Sequence, residues 1–275
     1  MKKSTAPLLS VLFITYKRPQ VLEKSFNALK RHLGNIDCEY VVADDGSPKE
    51  IRDYIAGMPF DRFVLPDKNS GLGANNNNGL AACSGRYILM VQDDWTATAA
   101  FEGIVEKAIR VLDADEDVGI IRFAGGNPEW FPLEVRSVGD IDYFVCDHKG
   151  RQYDPAKPVY SDPPHLRRST IFDPSILGPY KEGCPMEDSE QDYSDRFDAQ
   201  DKFHIAFMSA VEMPYFINSG IDVSHRTAKF RYKLDNWLRA AALGLGMTSG
   251  GTAWRTFRSA WYAIKNVLIS ARLLK

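Results

Sequence analysis

Residues 86–95, RYILMVQDDW, constrain this chain more than any other stretch. Tyr87 through Val91 are apolar or aromatic without a break, the composition of a short strand buried on both faces of a parallel sheet. The run stops at Gln92, Asp93 and Asp94. Adjacent carboxylates at the end of a buried strand are costly unless they meet water or a cation, and a hard divalent ion bound through carboxylate oxygens is one reason to keep them. An acidic surface turn is the other reading.

The same grammar recurs upstream. Residues 8–15 form an apolar, partly β-branched run that ends in Tyr16, Lys17, Arg18 and Pro19, and Val21, Leu22, Phe26, Leu29 and Leu33 follow at helical spacing. A second strand, 39–43, stops at Asp44, Asp45, Gly46 and Ser47, a turn-forming cluster before a helix that begins near Lys49. A third, 62–65, leads into NSGLGANNNNGLAACSG, a loop opening a helix and containing a brief asparagine run from Asn75 to Asn78. Strands alternating with helices imply a parallel sheet with right-handed crossovers, which binds ligands at the carboxyl ends of its strands. The polar clusters all fall on that edge.

Composition narrows the class. In 275 residues, 44% are hydrophobic and 25% charged, which excludes disorder and suffices for one sizeable core or two small ones. A net charge of -2 offers nucleic acid no global attraction. Cys38, Cys83, Cys146 and Cys184 are widely spaced with no C-x-x-C, which argues for reduced thiols and a cytoplasmic protein over a zinc site or disulfide scaffold. The apolar run near the N-terminus is too short to cross a bilayer and lacks a small-residue cleavage site, so it reads as the first strand rather than a signal peptide.

From Thr96 the alternation fades. An amphipathic helix is expected over 99–112 and a strand over 118–123, then a loop whose Trp130 and Phe131 belong to the core or to a sugar platform, with core favoured. Residues 136–164 read as irregular and insertion-like, and His165, Arg167 and Arg168 as either a solvated basic turn or contacts to acceptor or phosphate. In PMEDSEQDYSDRF, 185–197, a helix sets Asp188 and Asp192 on one face with Glu190 turned away. Acidic residues also suit a helix start through the macrodipole. Beyond Asp235 there is no acidic residue, and Trp254, Phe257, Trp261, Ile264 and Leu268 recur at helical spacing beside Arg255, Arg258, Lys265 and Arg272. That is the pattern of a helix lying in an anionic membrane interface, with packing on the domain or an oligomer contact as the competing readings.

Together SVLFITYKRP, VVADDGS and NSGLGANNNNGLAACSGRYILMVQDD resemble the N-terminal half of a family 2 glycosyltransferase, with a weaker match running to about residue 226. The resemblance implies a GT-A-type, Rossmann-like α/β fold, a mostly parallel central sheet with helices on both faces, here followed by a basic amphipathic helical extension. It divides the chain into a nucleotide-sugar-binding half, 1–95, an acceptor-binding and catalytic half, 96–235, and the extension, 236–275. It implies that Tyr16 and Asp45, with Thr15 and Asp44, hold the nucleoside, a uracil base being the commonest case, and that Arg18, Asn69, Gly73 and Asp93 complete the donor site. An aromatic ring stacks on a base and a carboxylate accepts the imide hydrogen of uracil.

Asp93 and Asp94 occupy the position of the family's D-x-D metal motif, but Val91 replaces its first aspartate, leaving open which carboxylate touches the Mn²⁺ or Mg²⁺. The resemblance adds His225 as a ligand and Arg226 as a phosphate contact, and Asn76 stands where the family often has an arginine. It sets Glu190 at the catalytic base, with Asp188 and Asp192 as alternatives. The implied activity is inverting transfer of a sugar from a nucleoside diphosphate, UDP foremost, to a hydroxyl of a glycan or lipid-linked glycan. The basic helix would hold the enzyme on the inner face of the plasma membrane. A polyprenyl-phosphate sugar synthase and a non-catalytic sugar-nucleotide-binding or membrane-scaffold protein are the alternatives, and no nucleic-acid partner is expected.

Overall fold

A computed structural model describes residues 6–34, 36–124, 133–146, 160–208 and 214–218. Trp130, Phe131, His225, Arg226 and the basic extension lie outside them. The first half alternates as its spacing predicts: β1 (Leu9–Thr15), α1 (Pro19–Lys30), β2 (Cys38–Asp44), α2 (Lys49–Ala56), β3 (Arg62–Val64), α3 (Leu72–Ala82) and β4 (Tyr87–Gln92). β1 pairs in parallel with β2 and β4, and β2 with β3. Leu9, Val11 and Phe13 of β1 pack on Leu22, Phe26 and Leu29 of α1, while Leu12 and Ile14 pack on Leu80 of α3. A strand buried on both faces favours apolar residues at nearly every position, which is why β1, apart from Ser10, and β4 read as continuous runs.

The second half comprises β5 (Trp95–Ala97), α4 (Ile104–Ala114), β6 (Val118–Arg122), β7 (Leu133–Val138), β8 (Ile141–Cys146), β9 (His165–Arg168), α5 (Met186–Ala199), β10 (His204–Met208) and β11 (Phe216–Asn218). The large sheet has the order β3-β2-β1-β4-β9-β6-β10-β8-β7, and β5 pairs with β11 apart from it. β9 runs antiparallel between β4 and β6, and β8 antiparallel between β10 and β7, while the other strands share one direction. α1, α2 and α4 cover one face and α3 and α5 the other, so helices lie on both faces.

Three expectations need correction. The helix over 99–112 is broken: a 3₁₀ turn, Ala99–Phe101, ends before Gly103, whose left-handed φ of +67° turns the chain into α4. The irregular stretch from 136 contains the β7–β8 hairpin, closed at Gly139 with φ +60°. Its outer strand exposes Val135, and Arg136 and Tyr143 both bond the Asp115 carboxylate, at 3.0 and 2.6 Å, fastening the hairpin to the end of α4. His165, Arg167 and Arg168 do not form a solvated basic turn: they lie on a central strand, with His165 and Arg167 fully buried. All four cysteines are free thiols, and among the described residues no helix is long and apolar enough to cross a membrane.

Candidate active site

β1, β2 and β4 end at one edge, and their ladders continue one step past it: the Asp45 N–H donates to the Thr15 carbonyl at 3.1 Å and the Asp93 N–H to the Ile14 carbonyl at 3.0 Å. These bonds set Thr15, Asp45 and Asp93 side by side. The Thr15 hydroxyl donates to Asp93 Oδ2 at 2.7 Å. Arg18, just before α1, forks onto the same carboxylate, Nη2 to Oδ1 at 2.5 Å and Nε to Oδ2 at 3.2 Å, and reaches Asp94 Oδ2 with Nη1 at 3.4 Å. Burial raises the pKa of the Asp93 carboxyl, while the Thr15 hydroxyl and the Arg18 charge pull it back. Lys17 holds a left-handed φ of +59°, its N–H bonds Ser47 Oγ at 2.8 Å, and its ammonium lies 4.6 Å from the centre of the half-buried Tyr16 ring.

The neighbouring acidic pair divides its work. Asp44, fully buried, accepts from the N–H and hydroxyl of Ser47 and closes its own turn. Asp45 organises the glycine loop: Oδ1 accepts from the Ser70 and Gly71 N–H groups at 2.9 and 3.2 Å, and Oδ2 from Asn69 Nδ2 at 2.8 Å. Gly46 makes that approach feasible, since with φ +69° a Cβ there would stand 2.2 Å from the Lys68 carbonyl carbon. Gly73, placed in the donor site by resemblance, stands in α3, where a Cβ would lie 2.2 Å from the Lys181 carbonyl oxygen and 2.7 Å from Ser189 Oγ. The missing side chain there lets α3 close on the start of α5.

The acidic helix is resolved by its contacts. Asp188 is exposed and Asp192 pairs with Arg196 one turn on, at 2.9 Å. Glu190 instead faces the protein: Oε1 accepts the Asp162 N–H at 2.9 Å. His165, the first residue of β9, sits opposite Met90 of β4 and Arg122 of β6, so the segment leading into it crosses the same carboxyl edge that carries Asp93. Asp162 and Tyr160 escape a reading by motif; the signal for them is an acidic residue directly before the Pro163–Pro164 pair that turns the chain into β9. Their partners come from far along the chain, among them Asn76, whose amide donates to Asp162 Oδ2 at 3.2 Å.

Among the described residues no three metal-binding side chains converge. Asp93 and Asp94 nonetheless fit a Mg²⁺ or Mn²⁺ that draws its other ligands from water and donor phosphates. Thr15 and Arg18 engage Asp93 and Arg18 also reaches Asp94, so both carboxylates of the pair are partnered, while Val91 is fully buried in the α1 face of the core.

The chain matches the family model described as glycosyl transferase family 2 over residues 10–172. It is 30% identical over 106 residues to an uncharacterized glycosyltransferase, EpsJ, of Bacillus subtilis (strain 168), a match covering 37% of this chain and 30% of that protein. It is 29% identical over 93 residues to the GalNAc(5)-diNAcBac-PP-undecaprenol beta-1,3-glucosyltransferase of Campylobacter jejuni, covering 32% of this chain and 30% of that one. The matched segments thus span less than a third of either relative. In fold it is similar to TarS 1-349 of S. aureus, solved in complex with UDP-GlcNAc, with a TM-score of 0.55 and 16% identity over 80% of this chain and 60% of that one. It is similar also to the mannosyltransferase PcManGT of Pyrobaculum calidifontis, solved with GDP-Man and Mn²⁺, with a TM-score of 0.50 and 14% identity over 95% of this chain and 81% of that one. The match to the family model runs from β1 through β9 and takes in the carboxyl edge, and the chain belongs to glycosyl transferase family 2.

Proposed function

We propose that this chain is an inverting glycosyltransferase that moves a sugar from a nucleoside diphosphate, UDP foremost, to a hydroxyl of a glycan or lipid-linked glycan. The observation that carries the reading is the gathering of Thr15, Arg18, Asp45, Asp93 and Asp94 at one sheet edge, with Glu190 held at the same edge from α5. The Tyr16 ring stacks on the base, and Asp45, with the 69–71 loop it organises, borders the nucleoside. Arg18 holds the carboxylate pair together and presents the cation that Asn76 does not supply. A bound Mn²⁺ or Mg²⁺ would neutralise charge on the departing diphosphate. Asp93 and Asp94 would hold it between them, with His225 as the further ligand that the family resemblance implies. Glu190 takes the proton of the acceptor hydroxyl as that oxygen attacks the anomeric carbon from the face opposite the leaving group, which inverts the centre. The basic C-terminal stretch, whose spacing is that of an amphipathic helix, would rest on the anionic inner face of the plasma membrane beside a lipid-linked acceptor.

Support comes from relatives: the C. jejuni protein is named for a lipid-linked acceptor, and the two solved structures carry nucleotide sugars, one with Mn²⁺. The test is calorimetric titration with UDP, GDP, CDP and dTDP, each with Mn²⁺ and with chelator, followed by Glu190→Gln. Selective nucleotide binding that chelator abolishes is expected, and Glu190→Gln should keep donor affinity while losing turnover by about 100-fold or more. Failure to bind any of the nucleotides in either condition would sink the proposal.

A further inference from the structure

The sheet face under α3 and α5 does not end in apolar side chains. Arg122 at its carboxyl edge, Asp162 and Tyr160 in the segment leading into β9, and Arg167 further back along β9 opposite Ile88 are buried, with exposures of 2, 4, 0 and 0%. Burying ions this deeply is costly unless charges pair and polar atoms find partners. The Asp162 carboxylate is held from three directions, by the Tyr160 hydroxyl at 2.7 Å, the Asn76 amide at 3.2 Å and the Tyr180 hydroxyl at 3.4 Å. Its main chain faces the other way. The N–H groups of Tyr160 and Asp162, two apart along the chain, donate to Ser194 Oγ at 3.2 Å and Glu190 Oε1 at 2.9 Å, side chains one turn apart on α5. The segment is thus stitched to α5 through its backbone and to α3 through the Asp162 side chain.

We propose that Asp162 is a positioning residue for Glu190: it fixes the rotamer of that carboxylate through its anchored N–H, and its charge offsets the buried Arg122 guanidinium, which would otherwise weaken Glu190 as a base. The inference rests on Glu190 being the base. A free glutamate side chain samples many rotamers, and holding one oxygen confines the other to a single direction of attack. The groups that bear on this cluster are Arg122 of β6, Cys146 of β8, Tyr160 and Asp162, His165 and Arg167 of β9, Tyr180, and Glu190 and Tyr193 of α5. His165 stays neutral through the assay range, because burial, aided by Arg167, pushes it down to about 3. Burial also keeps the Tyr160, Tyr180 and Tyr193 hydroxyls protonated. Burial also raises the Asp162 carboxyl, and the hydrogen bonds from Tyr160, Asn76 and Tyr180, with the Arg167 charge, pull it back toward the ionised form.

Asp162→Asn tests this with little distortion, since Asn76 Oδ1, which has no partner among the described residues, can accept from the new amide once the Asn76 amide turns over. We expect kcat to fall about tenfold or more with donor Kd unchanged, and the acidic limb of the kcat–pH profile to move down by about one pH unit, because loss of a neighbouring negative charge stabilises ionised Glu190. Tyr160→Phe, which removes one anchor and no charge, should lower kcat several-fold at constant donor Kd. Native kcat and pH profile in Asp162→Asn, with Glu190→Gln inactive, overturn the positioning role alone. A Glu190→Gln enzyme that turns over normally removes the base and this inference together. If Asp162→Asn does not fold, a native kcat in Tyr160→Phe overturns the proposal.

Discussion

The four consecutive asparagines of α3 provide a stability experiment in which residue type is constant and only the environment changes. Asn77 is buried: its Oδ1 accepts the Tyr180 N–H at 2.7 Å and its Nδ2 donates to the Tyr180 carbonyl at 2.9 Å and to Glu182 Oε1 at 2.7 Å. Tyr180 is itself buried, so Asn77→Ala strands a main-chain donor and acceptor where water does not reach. Each such group costs about 1–3 kcal/mol. Two of them, less about 0.5 kcal/mol gained from alanine's helix propensity, give a net loss of about 3 kcal/mol. Asn78 is exposed, and Asn78→Ala should be neutral or stabilising by about 0.5 kcal/mol. Urea denaturation followed by tryptophan fluorescence reads both, and with a slope of about 3 kcal/mol per molar the buried change lowers the midpoint by about 1 M. Two midpoints within about 0.2 M of each other would refute the accounting, since they would mean that the Tyr180 backbone groups are not dependent on Asn77.

Glu39 tests the pH dependence of stability. Burial alone would raise its carboxyl, but hydrogen bonds from Ser10 and Ser84 and the charge of Arg62 outweigh it and hold the pKa below 4.5. A depressed carboxyl stabilises the fold above its unfolded pKa and loses that contribution as pH falls through the folded value. Glu39→Gln should therefore cost about 2 kcal/mol at neutral pH, a deficit that shrinks in acid; a deficit independent of pH would contradict the assignment. Gly46→Ala must displace the Lys68–Asn69 backbone, 2.2 to 2.3 Å from the new methyl, and with it the Asn69–Asp45 bond. Calorimetry should show UDP affinity falling about tenfold or more, and native affinity would show that the loop does not border the nucleoside.

Much of the fold was legible because local pattern records which sides of the backbone meet water. β1, β2 and β4 are apolar apart from the mutually bonded Ser10 and Glu39 near their start, since helices cover both faces, and the breaks at Thr15, Asp44 and Gln92 locate the edge where Asp45, Asp93 and Asp94 gather. Residues that read as surface from polarity alone were misplaced. His165 and Arg167 look like a solvated turn, yet β9 crosses the middle of the sheet because the Arg168 guanidinium finds the Val118 and Asp115 carbonyls and Arg167 meets the Tyr193 hydroxyl. The acidic helix was ambiguous for a related reason: helical spacing says which carboxylates share a face, but which face is buried depends on what lies opposite. Asp192 meets its partner four residues away on the same helix, whereas Glu190 meets a backbone N–H 28 residues away.

The sequence by itself determined the alternating strand–helix order, the two-sided core and the edge at which the acidic clusters lie, because each follows from periodicity within a few residues. Only the tertiary structure decided that Asp93 is bound to Thr15 and Arg18, 78 and 75 residues distant, and that Asn75, Asn76 and Asn77 are buried beside an exposed Asn78. It also decided that Glu190 is the acid turned inward. A polar side chain enters the interior only where partners from other elements satisfy it, and those partners are set by the packing of the whole sheet.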